Sequence, residues 1–201
     1  MTAPHDSHRE ARLLVLAAHE TVIPIYSSES ISGGRHILTL PFLPYDLGTL
    51  LDKGTLTSTQ IKSHLHSLLS ALAHCHSLGI LHRDIKPSNL LLKSPSGPAY
   101  LADFGIAWKA DDPNSEPVHE KITDIGTTCY RAPELLFGNS AYGEGVDIWA
   151  AGCVVAEAEC RGRPLFDSGD VGSELALIKS IFSTLGTPHD DTWPVSDVGN
   201  R

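Results

Sequence analysis

Three short segments hold most of the reactive chemistry in this 201-residue chain. They are His82-Arg83-Asp84-Ile85-Lys86-Pro87-Ser88-Asn89, then Asp103-Phe104-Gly105, then Ala132-Pro133-Glu134. Together they offer carboxylates at 84 and 103, an amide at 89 and an ammonium at 86. Such groups handle protons, hard cations and anionic groups. Each segment alone is a weak signal, and a lone D-F-G is commonly an ordinary strand-end turn. All three in this order, with Asp84 and Asn89 five apart and D-F-G directly after a short hairpin, are specific.

The order and spacing resemble the protein kinase family at its catalytic loop, its D-F-G and its A-P-E motif. Phosphoryl transfer needs positioning and charge neutralisation more than covalent help. The resemblance implies that Asp84 orients the attacking hydroxyl or takes its proton. Lys86 would stabilise charge on the transferred group. Asn89 and Asp103 would ligate Mg²⁺, for which hard oxygen donors are the right kind. It also implies that Glu10 is the helix-C glutamate, Leu40 the gatekeeper and Pro41–Leu43 the hinge, with Leu43 near adenine. Asp46 would meet the ribose, and Leu91 would floor the adenine pocket. For Leu40, Leu43 and Leu91 plain core packing is the alternative. Leu14, Ile25, His82 and Phe104 match the apolar column that links the lobes, and Asp147 matches a structural anchor of the catalytic loop.

Lys86 and Thr127, in Gly126-Thr127-Thr128-Cys129-Tyr130-Arg131, resemble Ser/Thr-specific members. Tyr130–Leu136, Gly162–Phe166 and Ser183–Pro188 look like the cyclin-dependent kinase and MAP kinase group, and residues 122–160 like fungal CDK-activating kinases. The expected cofactors are ATP and Mg²⁺, and the expected substrates are proteins, including cyclin-dependent kinases or Ser/Thr-Pro sites. Two departures stand out. Ile122 occupies the usual activating-threonine position, and Trp108 replaces a third phosphate-binding arginine, leaving Arg9 and Arg83. The chain is therefore expected not to need phosphorylation of its activation loop. Glu120 or Asp124 would pair with Arg83 instead, or both acids stay solvated. Residues 4–9 do not match the cyclin-contacting signature, which speaks against a cyclin. The chain starts at the helix-C position, with no G-x-G-x-x-G loop and no β3-type lysine ahead of it, and stops before the family's last helices. A catalytically impaired, kinase-like binding module is the alternative on that ground.

The elements that must position these residues are legible in outline. Residues 8–18 read as a helix. Val22–Tyr26 and His36–Leu40 read as strands around a Ser/Gly-rich hairpin loop, Ser27–Gly34. Ser58–Leu78 has apolar residues at helical spacing and stops at Gly79. Leu90–Lys93 and Ala99–Ala102 read as a strand pair. Residues 111–120, polar and holding Pro113 and Pro117, read as an exposed mobile loop. Val146–Glu159 reads as a buried helix and Ser173–Leu185 as an amphipathic one. The expectation is an α+β, two-lobed, kinase-like fold, with residues 1–43 as a partial small lobe and 44–201 as a large lobe.

Composition narrows the classes further. The hydrophobic fraction of 41% suits a packed core, and the net charge of −9 speaks against a nucleic-acid or membrane-surface binder. No run of eighteen apolar residues exists, so no membrane span is expected. Cys75, Cys129, Cys153 and Cys160 form no C-x-x-C pair and read as reduced thiols of the cytoplasm or nucleus. His64, His66, His74 and His76 cluster, but His64 and His66 point to different helix faces, and no carboxylates complete a zinc pattern.

Overall fold

The computed structural model describes residues 4–32 and 35–188. Helix α1 is Ser7–Leu16. Asp6 starts it by accepting from the backbone N–H groups of His8 and Arg9 at 2.8 and 3.0 Å. Leu13 and Leu14 turn into the core, and Arg9 is buried beside them.

Two strands follow, β1 (Ser27–Ile31) and β2 (Arg35–Thr39), antiparallel with Ser27 opposite Thr39. The second was expected within a residue. The first was not: Val22–Tyr26 is no strand, and the segment read as a loop is. The reason is Pro24, which has no N–H and cannot continue a ladder. Val22 makes only an isolated parallel bridge to Leu101. Gly33 and Gly34, part of the expected hairpin loop, lie outside the described residues.

The rest is mainly helical. Strand β3 (Tyr45–Asp46) runs into α2 (Leu47–Asp52). Helix α3 spans Ser58–Ser77 and opens with a capping box, Thr57 and Gln60 each bonding the other's backbone. Strand β4 is Ile80–Leu81, β5 is Leu90–Leu92, β6 is Ala99–Leu101 and β7 is Trp108–Lys109. One sheet has the order β3-β5-β6, and β4 pairs with β7 in a second ladder. These two ladders hold the residue 82–89 segment between them. Helices α4 (Pro133–Leu136), α5 (Gly145–Glu159) and α6 (Glu174–Leu185) complete the described chain.

A single cluster joins Leu13 and Leu14 of α1 to Leu68 and Leu72 of α3, Leu90 and Leu92 of β5, Phe104, and Val154 of α5. Each such side chain contributes about 1.5–3 kcal/mol by leaving water. Helix α5 is less enclosed than its composition suggests, because Ile148 is exposed. Cys160, at its C-terminal end, is exposed too, while Cys75 and Cys153 are buried. Among the described residues no helix is long and apolar enough to cross a membrane.

Candidate active site

The residue 82–89 loop is held in an unfavourable backbone conformation. Arg83 has φ +72° and Asp103 has φ +65°, in the region that side chains other than glycine's rarely adopt. A buried carboxylate on α5 keeps the loop there. Asp147 Oδ2 accepts from the N–H of His82 at 2.8 Å, and Oδ1 accepts from the N–H of Arg83 at 2.8 Å. His76 Nε2 lies 2.9 Å from Oδ2. His82 packs edge-on against Phe104, ring centroids 4.8 Å apart, in the cluster that holds Leu14 and borders Ile25.

Asp84, Lys86, Asn89 and Thr127 are brought together. Lys86 Nζ donates to Asp84 Oδ2 at 2.8 Å and to Thr127 Oγ1 at 2.9 Å. Asp84 Oδ1 accepts from the Thr127 hydroxyl at 3.0 Å and from its backbone N–H at 3.1 Å. Asn89 Nδ2 donates to the Asp84 carbonyl at 2.8 Å and to Oδ2 at 3.2 Å. Burial pushes the Asp84 carboxyl up. The Lys86 hydrogen bond and charge, with the Thr127 hydrogen bond, outweigh that and hold it below the ordinary aspartate value. It is therefore a carboxylate at neutral pH, able to accept a proton or orient a hydroxyl. Thr127 reaches it because Gly126, at φ +71°, lies on the residue 82–89 loop: a Cβ there would fall 2.8 Å from the Arg83 carbonyl oxygen.

The Asn89 carbonyl accepts from Ala102 N–H at 2.9 Å, which ties the backbone before Asp103 to this loop. Glu10 comes from the other side. Oδ1 of Asp103 and Oε2 of Glu10 lie 3.2 and 3.7 Å from where a Gly105 Cβ would be. Burial, then the Asp103 charge, push Glu10 up to about 7. A carboxyl raised in this way supports the fold fully below its unfolded pKa, and that support is lost as pH rises through about 7. Glu10→Gln is expected to melt higher than the wild type at about pH 8, with the gap closing toward about pH 5. Equal melting at both pH values would remove the strain from Glu10.

The remaining expected residues sit as follows. Leu40 and Leu43 are half-buried against the core and line an outer groove of about 490 Å³ with Tyr26, Phe42 and Tyr100. Neither Leu91 nor the carboxylates line that groove. Leu91 pairs with Asp46 across β3 and β5. Asp46 already caps α2, accepting from Thr49 N–H and hydroxyl at 2.8 and 2.7 Å. His64 is buried against the Pro95 carbonyl, 3.0 Å away.

Of the two outcomes expected for Glu120 and Asp124, pairing with Arg83 or staying solvated, the solvated one holds. Neither Glu120 nor Asp124 meets Arg83. Asp124 pairs with Arg131 at 2.8 Å, and Glu120 is exposed. The acid at Arg83 is Glu116, 3.3 Å away, in the segment read as a mobile loop. Tyr142, which accepts from Arg83 Nη1 at 3.0 Å, was also missed. Trp108, which stands in place of the third arginine, holds this segment: its indole N–H donates to the Glu116 carbonyl at 2.9 Å.

A family model described as the protein kinase domain matches residues 2–198. The chain belongs to the protein kinase family. The kinase chain is 41% identical over 196 residues to the serine/threonine-protein kinase csk1 of Schizosaccharomyces pombe, an alignment covering 95% of the chain and 62% of that relative. It superposes on the yeast RNA Pol II CTD kinase CTDK-1 complex with a TM-score of 0.81 at 32% identity, covering 94% of this chain and 59% of that one. It superposes on the CAK complex of Chaetomium thermophilum bound to ATP-γ-S with a TM-score of 0.82 at 36% identity, covering 94% and 57%. The kinase chain thus spans about 60% of the length of these relatives. The two-lobed kinase fold of the cyclin-dependent group is the one expected.

Proposed function

We propose that this chain carries the phosphoryl-transfer site of a Ser/Thr protein kinase of the CDK-activating type. The observation that supports it most is the Asp84 carboxylate, ionised and aimed by Lys86 and Thr127 beside Asn89. Asp84 orients the substrate hydroxyl and takes its proton. Lys86 offsets charge on the group in transfer, and Thr127 fixes both. The donor chemistry fits a magnesium nucleotide, because Glu10 and Asp103 are neighbouring carboxyls and the Asp103 charge pushes Glu10 up. Asn89 and Asp103 would hold Mg²⁺, with ATP supplying the phosphoryl group. Leu40, Leu43 and Leu91 would meet the base and Asp46 the sugar.

The residue after the acceptor is the finer question. Gly126, beside Thr127, has its carbonyl engaged by Arg131 Nε at 3.2 Å. A substrate residue with no N–H to satisfy, proline, loses least there. Both structural neighbours come from complexes, which supports protein partners. Cyclin is left out, because residues 4–9 lack its contacting signature. Four free cysteines suit the cytoplasm or nucleus.

The test is transfer of labelled phosphate from MgATP to two peptides differing only as Ser-Pro and Ser-Ala. The Ser-Pro peptide is expected to give roughly tenfold higher kcat/KM, the scale of one unsatisfied N–H. No transfer to either sinks the enzyme reading, and equal transfer sinks only the proline preference.

A further inference from the structure

Three cations are buried together behind the catalytic loop. The side chains of Arg9 and Arg83 are 2% and 0% exposed. Lys121 is buried as well, its ammonium 4.8 Å from the Trp108 ring centre and 5.0 Å from that of Tyr142. Like charges out of water cost several kcal/mol unless an anion joins them. Glu116 is the carboxylate that does. It lies 3.3 Å from Arg83 and 3.9 Å from Arg9.

Glu116 is not a side chain that drifted in. Trp108 holds its carbonyl, and the residues before it are fastened to α1. Arg12 grips Asp112 with two bonds of 2.8 Å. Arg9 Nη1 donates to the Asn114 carbonyl at 2.9 Å, and Asn114 Nδ2 donates to Asp6 at 2.6 Å. Residues 6, 9 and 12 follow one helix face, so residues 112–116 run along it. On the other side Arg83 donates to the Ile106 carbonyl at 2.6 Å and to Tyr142, one residue before Asp84.

Asp6 and Asp112 add negative charge on the Arg9 side, and Glu116 is the acid paired with Arg83 among the described residues. Arg9 Nε and Arg83 Nη2 are buried and have no hydrogen-bond partner among the described residues.

We propose that Glu116 is a tethered anion that locks Arg83, and through it Asp84, to helix α1, so that the working geometry forms without a phosphate on the activation segment. Glu116 is a positioning residue, and the proposal rests on the kinase reading for its effect on turnover. Emptying the pocket leaves three cations able to take a free oxyanion. Glu116→Gln is expected to lower kcat roughly tenfold to hundredfold, with KM for ATP little changed. Inorganic phosphate, against chloride at equal ionic strength, is expected to raise the melting temperature of Glu116→Ala but not of the wild type, and to restore part of its turnover. Phosphatase treatment of the wild type should leave activity intact. Wild-type turnover in Glu116→Gln, equal effects of phosphate on variant and wild type, or activity lost to phosphatase would each overturn the proposal. If the wild type transfers no phosphate, the kinase reading fails by itself. The phosphate-dependent melting then decides the tethered anion alone.

Discussion

Asp84→Asn is expected to keep the fold and lose phosphate transfer by about 10²–10⁴-fold in kcat, the range for removing a positioned acid–base group. The structure says why an isosteric amide cannot stand in. Oδ1 accepts twice from Thr127, so the amide oxygen must stay there. The new NH₂ then faces the Lys86 ammonium, 2.8 Å away, and Asn89 Nδ2, 3.2 Å away. Donors would meet donors, Lys86 would lose its partner, and no base would remain for the hydroxyl. Binding of MgATP should change little, because Asn89 and Asp103 remain. Single-turnover kinetics and a nucleotide-binding titration separate the two effects. Turnover within threefold of the wild type would remove Asp84 from the chemistry.

Asp147→Ala is expected to give the largest loss of stability, about 3–5 kcal/mol, in the range for breaking a buried charged network. The side chain is 1% exposed and accepts from two backbone N–H groups and His76. Alanine would strand both N–H groups without water, at about 1–3 kcal/mol each. The backbone at Arg83, φ +72°, would have nothing to hold it. Denaturant unfolding measures the loss. A drop below about 1 kcal/mol would mean that the loop supports itself.

The nearness of Asp84 to Asn89 was legible because it lies in local spacing. A short loop between two ladders has few ways to run, so the pattern of types survives as a pattern of positions. Helix α3 was legible for a related reason: its apolar period and its Thr57–Gln60 box both mark it. Strand β1 was not legible. Ser-Ser-Glu-Ser-Ile lacks an alternating apolar face, and what makes it a strand is backbone pairing with β2. Glu116 was out of reach for another reason. Its partner Arg83 is 33 residues away, and nothing in a polar, proline-bearing stretch says which of its acids will turn inward. Burial of charge is a property of the assembled core, so the choice among Glu116, Glu120 and Asp124 belongs to tertiary structure.

The contact of Gly126 with the Arg83 carbonyl has a dynamic counterpart. Thr127 hangs from Asp84, while His82 and Arg83, the two residues before it, hang from Asp147 on α5. Neither loop can fray without pulling the other off its anchor. The two should behave as one cooperative opening unit, with shared protection from solvent and a common rate of excursion.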